Sequence, residues 1–271
     1  MKIIELLQLK PNAIRSHFSL SYRNAFNHLY RKYDLSQNNT PTHHYPSMAS
    51  RRIGNNYFTD LNIDWCVALE KTSLFSASNL LGHGVCTRIN IEDEDKLTTK
   101  GWRSIVEEAH DQQSKGISPN AAIGLFVNVE TTSRNRGMAQ KIVSQMRKVA
   151  KSVSFSNVYI PLMLPSSFAK SNCSKSITEY GVLKREDGEY ADYWLRLHTR
   201  LGATVLGTQE NSHVYGFTAD EIKRYTSLYP EKFILENDMV TIEINGLYYC
   251  GRLNTRYQTY LVQVPCVWVS H

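Results

Sequence analysis

The most regular pattern of apolar and polar positions in the chain lies between residues 121 and 162. An apolar run at 121–129 is followed by a polar loop with arginines, by apolar residues at helical spacing, and by a second apolar run. The residues at helical spacing are Met138, Ile142, Val143, Met146, Val149, Ala150 and Val153. This spacing predicts an amphipathic helix, and the whole order predicts a strand, a loop, a helix and a second strand.

The pattern also predicts elements on both sides of this unit. Apolar residues at near-helical spacing over residues 1 to about 36, interrupted at Pro11, predict one or two helices. Further helices are predicted at 102–109, 192–202 and 219–229. Further strands are predicted at 65–69, 83–91, 239–244, 247–253 and 260–268. Asn245-Gly246 is a strong hairpin turn signal, since both residues tolerate a positive φ.

The loop before the helix has the composition of an anion-binding site. The first amides of a helix have no partner within the helix and lie at the positive end of its dipole. Gly137 and Ala139 are small enough for a phosphate to approach those amides, and Arg134 and Arg136 add positive charge. For these residues alone, a glycine turn with solvated arginines is the alternative interpretation.

The run Arg134-Asn135-Arg136-Gly137-Met138-Ala139, between a strand and a helix, resembles the acyl-coenzyme A loop of the GNAT superfamily of acyl-CoA-dependent N-acetyltransferases. The segment from Asp192 to Gly202 resembles the superfamily's second helix, which ends in a glycine. The resemblance extends to a bacterial subgroup of longer GNAT-like proteins, in segments at 64–68, 187–188, 229–230 and 265–271. The chain departs from this subgroup at Tyr193 and Cys266, where proline and asparagine are usual.

The resemblance implies an α/β, GNAT-like fold with a central mixed β-sheet flanked by helices and splayed beside the loop. It divides the chain into a helical N-terminal segment with a polar loop at 1–55, an acyltransferase core at 56–216 and a β-rich C-terminal extension at 217–271, packed on the core. The extension could complete an acceptor site or form a homodimer interface. The long connection at 164–190 is the expected acceptor-specificity segment, with a surface insertion as the alternative.

The implied activity is that of an N-acyltransferase. It moves an acyl group from acyl-CoA, acetyl-CoA by default, to an amine of a small metabolite or peptide by direct attack in a ternary complex. The expected donor contacts are Asn128, Val129, Arg134, Asn135, Arg136, Gly137, Met138 and Ala139. An acyl carrier protein that delivers a longer acyl chain, and a noncatalytic acyl-CoA-binding module, remain the alternatives.

Three residues are candidates for proton transfer. His198 stands where many GNAT enzymes have the tyrosine that protonates the departing thiolate, and an imidazole can carry a proton near neutral pH. A histidine packed on the apolar face of its helix is the alternative. Glu130 and Asp192 are the candidate bases, although Asp192 also suits the N-cap of its own helix.

Composition narrows the class of protein further. The 271 residues are 42% hydrophobic and 21% charged, which is typical of a soluble globular protein. Five cysteines without a C-x-x-C pair or a histidine cluster indicate a reduced, cytoplasmic protein without a metal site. No apolar stretch is long enough to cross a membrane, so no membrane partner is expected. The net charge of +6 favours an anionic ligand, but the absence of a nucleic-acid module argues against nucleic acid.

Overall fold

The computed structural model describes residues 3–9, 63–71, 79–129, 137–172, 175–244 and 247–271. Its strands are β1 (Ile3–Leu9), β2 (Ile63–Lys71), β3 (Asn79–Ile89), β4 (Ala121–Val129), β5 (Val158–Leu162), β6 (Thr204–Thr218), β7 (Phe233–Glu236), β8 (Met239–Ile244), β9 (Leu247–Asn254) and β10 (Thr259–Ser270). Its α-helices are α1 (Trp102–Ser114), α2 (Met138–Ser152), α3 (Ile177–Gly181), α4 (Tyr193–Arg200) and α5 (Ala219–Leu228). Short 3₁₀ helices lie at Glu94–Thr99 and Pro165–Phe168.

The described strands form one mixed sheet in the order β1-β2-β3-β4-β5-β10-β9-β8-β7, and β6 pairs with β10 off this path. The pair β4–β5 is parallel, whereas the other described pairs are antiparallel. The predicted α/β class with a central mixed sheet flanked by helices is therefore confirmed.

Helices cover both faces of the sheet. Successive strand residues point to opposite faces, and in β4 Ile123 packs with residues of α1 while Ala122 packs with Ala150 of α2. The predicted apolar stripe of α2 is buried from Met138 to Ala150, which confirms the helix and its inward face. Its first residue packs near Leu81 and Val129, so α2 begins near the end of β4 and runs back along the sheet.

The first described strand differs from the sequence prediction. Residues Ile3–Leu9 form β1, which pairs antiparallel with β2, where near-helical spacing predicted a helix. An apolar run this short fits either structure by periodicity alone, and the neighbouring β2 supplies a backbone partner for a strand. The rest of the predicted N-terminal segment, with its remaining helical part and its polar loop, covers 10–55 and lies outside the described residues.

The C-terminal extension and the core share a strand. The first half of β10 pairs with β9, its second half pairs with β5, and β6 runs along its other edge. The extension has its own apolar cluster, in which Phe217, Tyr225 and Phe233 are buried. Residues 217–271 thus contain both the extension's core and a strand of the central sheet.

Helix α4 begins and ends at the residues that the sequence indicated. Asp192 is its N-cap, and its carboxylate accepts hydrogen bonds from the amides of Trp194 and Leu195. After the helix, the amides of Gly202 and Ala203 donate to the carbonyls of Thr199 and His198, which is the Schellman pattern. Gly202 has φ +84°, so the predicted glycine stop is confirmed.

Replacing Gly202 by alanine is expected to lower the free energy of unfolding by about 1 kcal/mol, since its φ of +84° is strained for any residue with a Cβ. Gly202→Asn is the control, because asparagine tolerates this conformation better than alanine. Urea denaturation of both variants checks the prediction. Equal stability of Gly202→Ala and the unchanged protein would contradict it.

Candidate functional site

Strands β4 and β5 diverge after a short paired stretch. They pair only at Ala122 with Val158 and at Ile123 with Tyr159. Beyond these rows β4 continues along β3 as far as Val129, and β5 continues along β10 as far as Leu162. The facing edges of the two strands therefore enclose a wedge, whose apex is the paired stretch. Within the described residues no strand pairs with these two edges, so they can accept an extended ligand that carries amide groups.

A β-bulge lies where β4 turns away from β5. The β3–β4 register shifts between Val85, opposite Phe126, and Cys86, opposite Gly124, so Leu125 is the extra residue. A bulge bends its strand, and the Leu125 carbonyl accepts a hydrogen bond of 3.0 Å from the Trp102 indole. The bulge and this contact direct the end of β4 away from β5.

Among the described residues, nothing covers the N-terminus of α2. Gly137 is the N-cap, with φ +67°, and no described side chain caps the helix by a hydrogen bond. A Cβ at Gly137 would meet no atom of the described residues within 4 Å. The side chains of Met138 and Ala139 are buried, so at these positions only the backbone is available to a ligand. Within the described part of the chain, the first amides of α2 are thus left without a partner.

Two surface cavities meet at Gly137, and both have cationic walls. The first, of about 240 Å³, lies between α2 and α4 and is lined by Gly137, Gln140, Tyr193, Arg196, Leu197, Arg200 and Leu201. The second, of about 300 Å³, follows the outer side of α2 and is lined by Gly137, Gln140, Lys141, Ser144, Gln145 and Lys148. Arginines and lysines beside open helix amides favour an anionic ligand.

An ion pair holds the arginines of α4. The Arg200 guanidinium donates to the Glu189 carboxylate, with 2.9 Å between Nε and Oε1, and Arg196 lies 3.9 Å from the same carboxylate. The hydrogen bond from Arg200 lowers the pKa of Glu189. Arg196 also donates to the carbonyls of Tyr190 and Ala191, which fixes it against the turn before α4.

His198 is buried and contacts a second histidine. Its side chain is 1% exposed, and its Nδ1 lies 2.7 Å from Nε2 of His271. Burial lowers the pKa of His198 to about 3, with a further contribution from the neighbouring His271 whenever that ring is protonated. Burial also lowers the pKa of His271 to about 4, and the positive charge of Arg147 contributes. Both imidazoles are therefore neutral near pH 7. His198 is therefore not the protonated ring that the sequence suggested at neutral pH. A role of His198 in proton transfer stays a prediction.

His198 lies close to the apex of the wedge. The backbone of His271 exchanges hydrogen bonds of 3.0 Å in both directions with Val158. Val158 in turn pairs with Ala122 of β4. His271, Val158 and Ala122 thus form one row across the sheet, at the end of the wedge where the strands are still paired.

Asp192 is placed as a helix cap. Its Oδ1 accepts from the amides of Trp194 at 2.8 Å and of Leu195 at 3.3 Å, and the residue is 3% exposed. This matches the alternative that the sequence left open for it. Its role as a base stays a prediction.

The remaining predicted site residues fall into two groups. Asn128 and Val129 lie at the open end of β4, beside the wedge, where they pair with His83 and Gly82 of β3. Glu130, Arg134, Asn135 and Arg136 lie outside the described residues. The structure thus brings Asn128, Val129 and the start of α2 to the same end of the sheet.

The connection at 164–190 is packed against the core. It contains α3, whose N-terminus has a capping box formed by Ser176 and Glu179. The amides of Ile177 and Thr178 also donate to the carboxylate of Glu210 on β6. Ile177 and Tyr180 are buried in the same cluster as β5. The described residues of this segment are therefore part of the packed fold, and its contribution to acceptor specificity stays a prediction.

The described part of the chain contains neither a disulfide nor a group of metal-ligating side chains. Cys86, Cys250 and Cys266 form no disulfide there, and burial raises the pKa of Cys266 to about 12. In those ranges no three His, Cys, Asp or Glu side chains are grouped to hold a metal ion. Nor does any helix described here combine the length and apolar character needed to cross a bilayer.

For two residues of the site, the sequence indicates no role. His271 is 73 positions from His198, and neither periodicity nor a motif relates the two. Trp102 was expected only as the start of a helix, and its contact with the bulge depends on the packing of that helix. Both contacts are visible only in three dimensions.

No family model matches the chain, and no curated protein matches it. Among solved structures it is similar to the loading GNATL domain of CurA from Lyngbya majuscula, at 16% identity over 75% of this chain and 85% of that chain, with a TM-score of 0.43. It is also similar to NAA60 from Arabidopsis thaliana in complex with acetyl-CoA, at 13% identity over 98% of both chains, with a TM-score of 0.43. A third is the GphF GNAT-like decarboxylase in complex with isobutyryl-CoA, at 14% identity over 98% of both chains, with a TM-score of 0.45. The solved structures to which this chain is similar thus include GNAT-like proteins.

Proposed function

We propose that this protein is an acyltransferase that takes its acyl group from acyl-CoA, acetyl-CoA by default, and passes it to an amine of a small metabolite or peptide. The observation that carries the proposal is the wedge between β4 and β5, with the open N-terminus of α2 near its wide end. An α/β sheet that opens between two parallel strands provides unpaired backbone and a helix dipole at one place. A ligand with both amides and phosphates matches this arrangement.

The donor would lie along the wedge. The pantetheine arm of CoA is an extended chain with amide groups, which can pair with the strand edges that β4 and β5 leave open. Asn128 and Val129 belong to the open edge of β4. The pyrophosphate would lie at the amides that follow Gly137, where small size and the helix dipole favour an anion. Arg134, Asn135 and Arg136 precede these amides in sequence and would add contacts to the phosphates.

The chemistry requires alignment more than strong acids or bases. The amine nitrogen attacks the thioester carbonyl carbon, a C–N bond forms, the C–S bond breaks, and the thiolate leaves with the electron pair. Holding donor and acceptor together makes this step effectively intramolecular. The amine proton passes to a base, for which Glu130 and Asp192 are the candidates. Asp192 is the weaker one, since one of its oxygens already caps α4.

A noncatalytic acyl-CoA-binding module is the second candidate function. The neutral, buried state of His198 and the capping role of Asp192 favour it, because neither residue is a ready proton donor or base in this state. Both candidates require acyl-CoA in the wedge. They differ in whether thiol is released when an amine is added.

Gly137→Glu is expected to lower the affinity for acetyl-CoA by about tenfold or more, because a carboxylate in front of the α2 amides repels the pyrophosphate and occupies its place. Gly116→Glu is the matched control: Gly116 also has a positive φ, +68° against +67° for Gly137, and also has open space around it. The measurement is calorimetric titration with acetyl-CoA.

Weak binding by Gly137→Glu together with unchanged binding by Gly116→Glu supports the donor site. Absence of binding by the unchanged protein overturns free acyl-CoA as the donor and favours a carrier-protein donor. If acetyl-CoA binds, thiol release measured with a panel of small amines and peptides then distinguishes the acyltransferase from the noncatalytic module.

A further inference from the structure

We propose that His271 is a positioning residue that holds His198 in the tautomer with its hydrogen on Nε2, so that His198 offers an N–H to the sulfur of the donor. The inference rests on the proposed function for its catalytic consequence. The tautomer itself is a property of the protein alone and can be measured without a substrate.

The geometry requires one ring to donate to the other. Nδ1 of His198 and Nε2 of His271 are 2.7 Å apart, which is a short hydrogen bond between two nitrogens. A neutral imidazole carries a single N–H, so one ring donates here and its partner accepts. Whichever nitrogen donates therefore determines the tautomer of both rings.

A buried atom of His271 distinguishes the two arrangements. Its Nδ1 is buried and has no hydrogen-bond partner among the described residues. If His198 donated, Nδ1 of His271 would carry the hydrogen and would be an unpaired buried N–H group. If His271 donates from Nε2, its Nδ1 is an unpaired acceptor instead. Unpaired buried donors are rarer in proteins than under-satisfied acceptors, so the second arrangement is favoured.

The second arrangement leaves the hydrogen of His198 on Nε2. Its Nδ1 is occupied as the acceptor from His271, and its helix position is fixed by the caps at both ends of α4. The ring of Trp194 lies one helical turn earlier, with a centroid distance of 6.0 Å to the His198 ring. The backbone of His271 is fixed as well, because it pairs with Val158 in both directions. His198 is therefore held on a helix, and His271 by two backbone hydrogen bonds to β5.

The consequence concerns the leaving group. When the C–S bond breaks, negative charge develops on the sulfur, and an oriented N–H stabilises that charge without giving up its proton. Such a role needs no protonated imidazole. The thiolate leaves as a hydrogen-bonded anion, and the amine proton passes to the base or to water. A neutral histidine can thus stabilise the departing thiolate, provided that its tautomer places the hydrogen on Nε2.

The tautomer of His198 can be observed directly by ¹⁵N NMR of the histidine side chains in the ligand-free protein. We expect hydrogen on Nε2 in the unchanged protein. His271→Leu removes the donor, and a mixture of both tautomers is expected. His271→Gln retains an amide N–H near the position of Nε2, and the Nε2–H tautomer is expected to return. Circular dichroism and thermal denaturation verify that both variants fold.

The kinetic consequence is measured with the same variants. His271→Leu is expected to lower kcat for acyl transfer by about tenfold, which corresponds to the loss of one oriented hydrogen bond, with the KM for acyl-CoA unchanged. His271→Gln is expected to recover most of kcat. A role in folding alone would not produce this difference between two folded variants.

Hydrogen on Nδ1 of His198 in the unchanged protein, or the same tautomer in His271→Leu, overturns the proposal. Equal kcat values for folded His271→Leu and His271→Gln also overturn it. If no acyl transfer is found with any amine, the proposed function fails, whereas the NMR result still decides whether His271 sets the tautomer.

Discussion

Gly101→Ala is expected to lower the free energy of unfolding by about 3 kcal/mol, because the added methyl group has no space. A Cβ at Gly101 would lie 2.3 Å from Cα and 2.4 Å from the carbonyl oxygen of Ser212. These are backbone atoms of β6 and cannot rotate aside. The φ of Gly101 is −93°, so the cost is entirely steric.

The site would also be affected, because Gly101 is the N-cap of α1. The amide of Trp102 donates to Ser212 at 2.8 Å, and the Trp102 indole donates to the bulge carbonyl of Leu125 at 3.0 Å. Moving the start of α1 away from β6 would pull Trp102 away from the bulge. We therefore expect weaker acetyl-CoA binding as well as lower stability.

Urea denaturation at constant pH measures the loss of stability. The control is Gly116→Ala, which adds the same methyl group in open space and costs only the strain of its φ of +68°, about 1 kcal/mol. A loss of stability in Gly101→Ala no larger than in Gly116→Ala would show that β6 and α1 can separate at little cost.

Acid is expected to destabilise the protein through the buried histidines. The pKa of His198 falls from 6.5 in the unfolded chain to about 3 in the folded protein, and that of His271 falls to about 4. Below pH 6.5 the unfolded chain therefore binds more protons than the folded one, and stability decreases as the pH falls toward the folded values. At about 1.4 kcal/mol for each pKa unit, His198 alone costs about 2 kcal/mol at pH 5.

His271 adds to this loss, and the positive charge of Arg147 contributes to its lowered pKa after burial. His213 behaves in the same direction, since burial and the charge of Arg103 lower its pKa. The measurement is urea denaturation at pH 7 and pH 5 for the unchanged protein and for the double variant His198→Gln, His271→Gln. We expect the double variant to lose about 4 kcal/mol less than the unchanged protein between these two pH values, with about half of the difference from each histidine. Parallel losses in both proteins would mean that these rings protonate in the folded state.

Local sequence signals predicted the elements that depend on local interactions. Two features could be predicted in this way: the apolar stripe from Met138 to Ala150 and the glycine stop at Gly202. A helix face and a helix end are determined by neighbouring residues. Alternation and the turn signal at 245–246 indicate a hairpin, so β8 and β9 are predicted for a similar reason, whereas β7 is not predicted. The pairing of Ile244 with Leu247 confirms that hairpin, although its turn residues lie outside the described ranges.

The parts that local patterns do not reveal depend on contacts between distant residues. The family resemblance implied a splayed sheet, but the divergence of β4 from β5 follows from their different outer partners, β3 and β10, which no local pattern reveals. The contact between His198 and His271 likewise depends on how β10 pairs with β5. The helix prediction for Ile3–Leu9 was wrong because a short apolar run does not reveal whether a neighbouring strand is available for pairing.

The pairing of β6 with β10 makes part of the extension an insertion within a β-hairpin. Thr218 at the end of β6 pairs with Thr259 at the start of β10, so residues 219–258 lie between the two arms. β10 then continues without interruption to the row that holds His271 and Val158. A partner bound to the extension would therefore act on β10, whose backbone also borders the apex of the wedge. Excising 219–258 and closing the hairpin with a short turn would therefore break that mechanical connection while keeping every strand of the central sheet from β1 to β6 and β10.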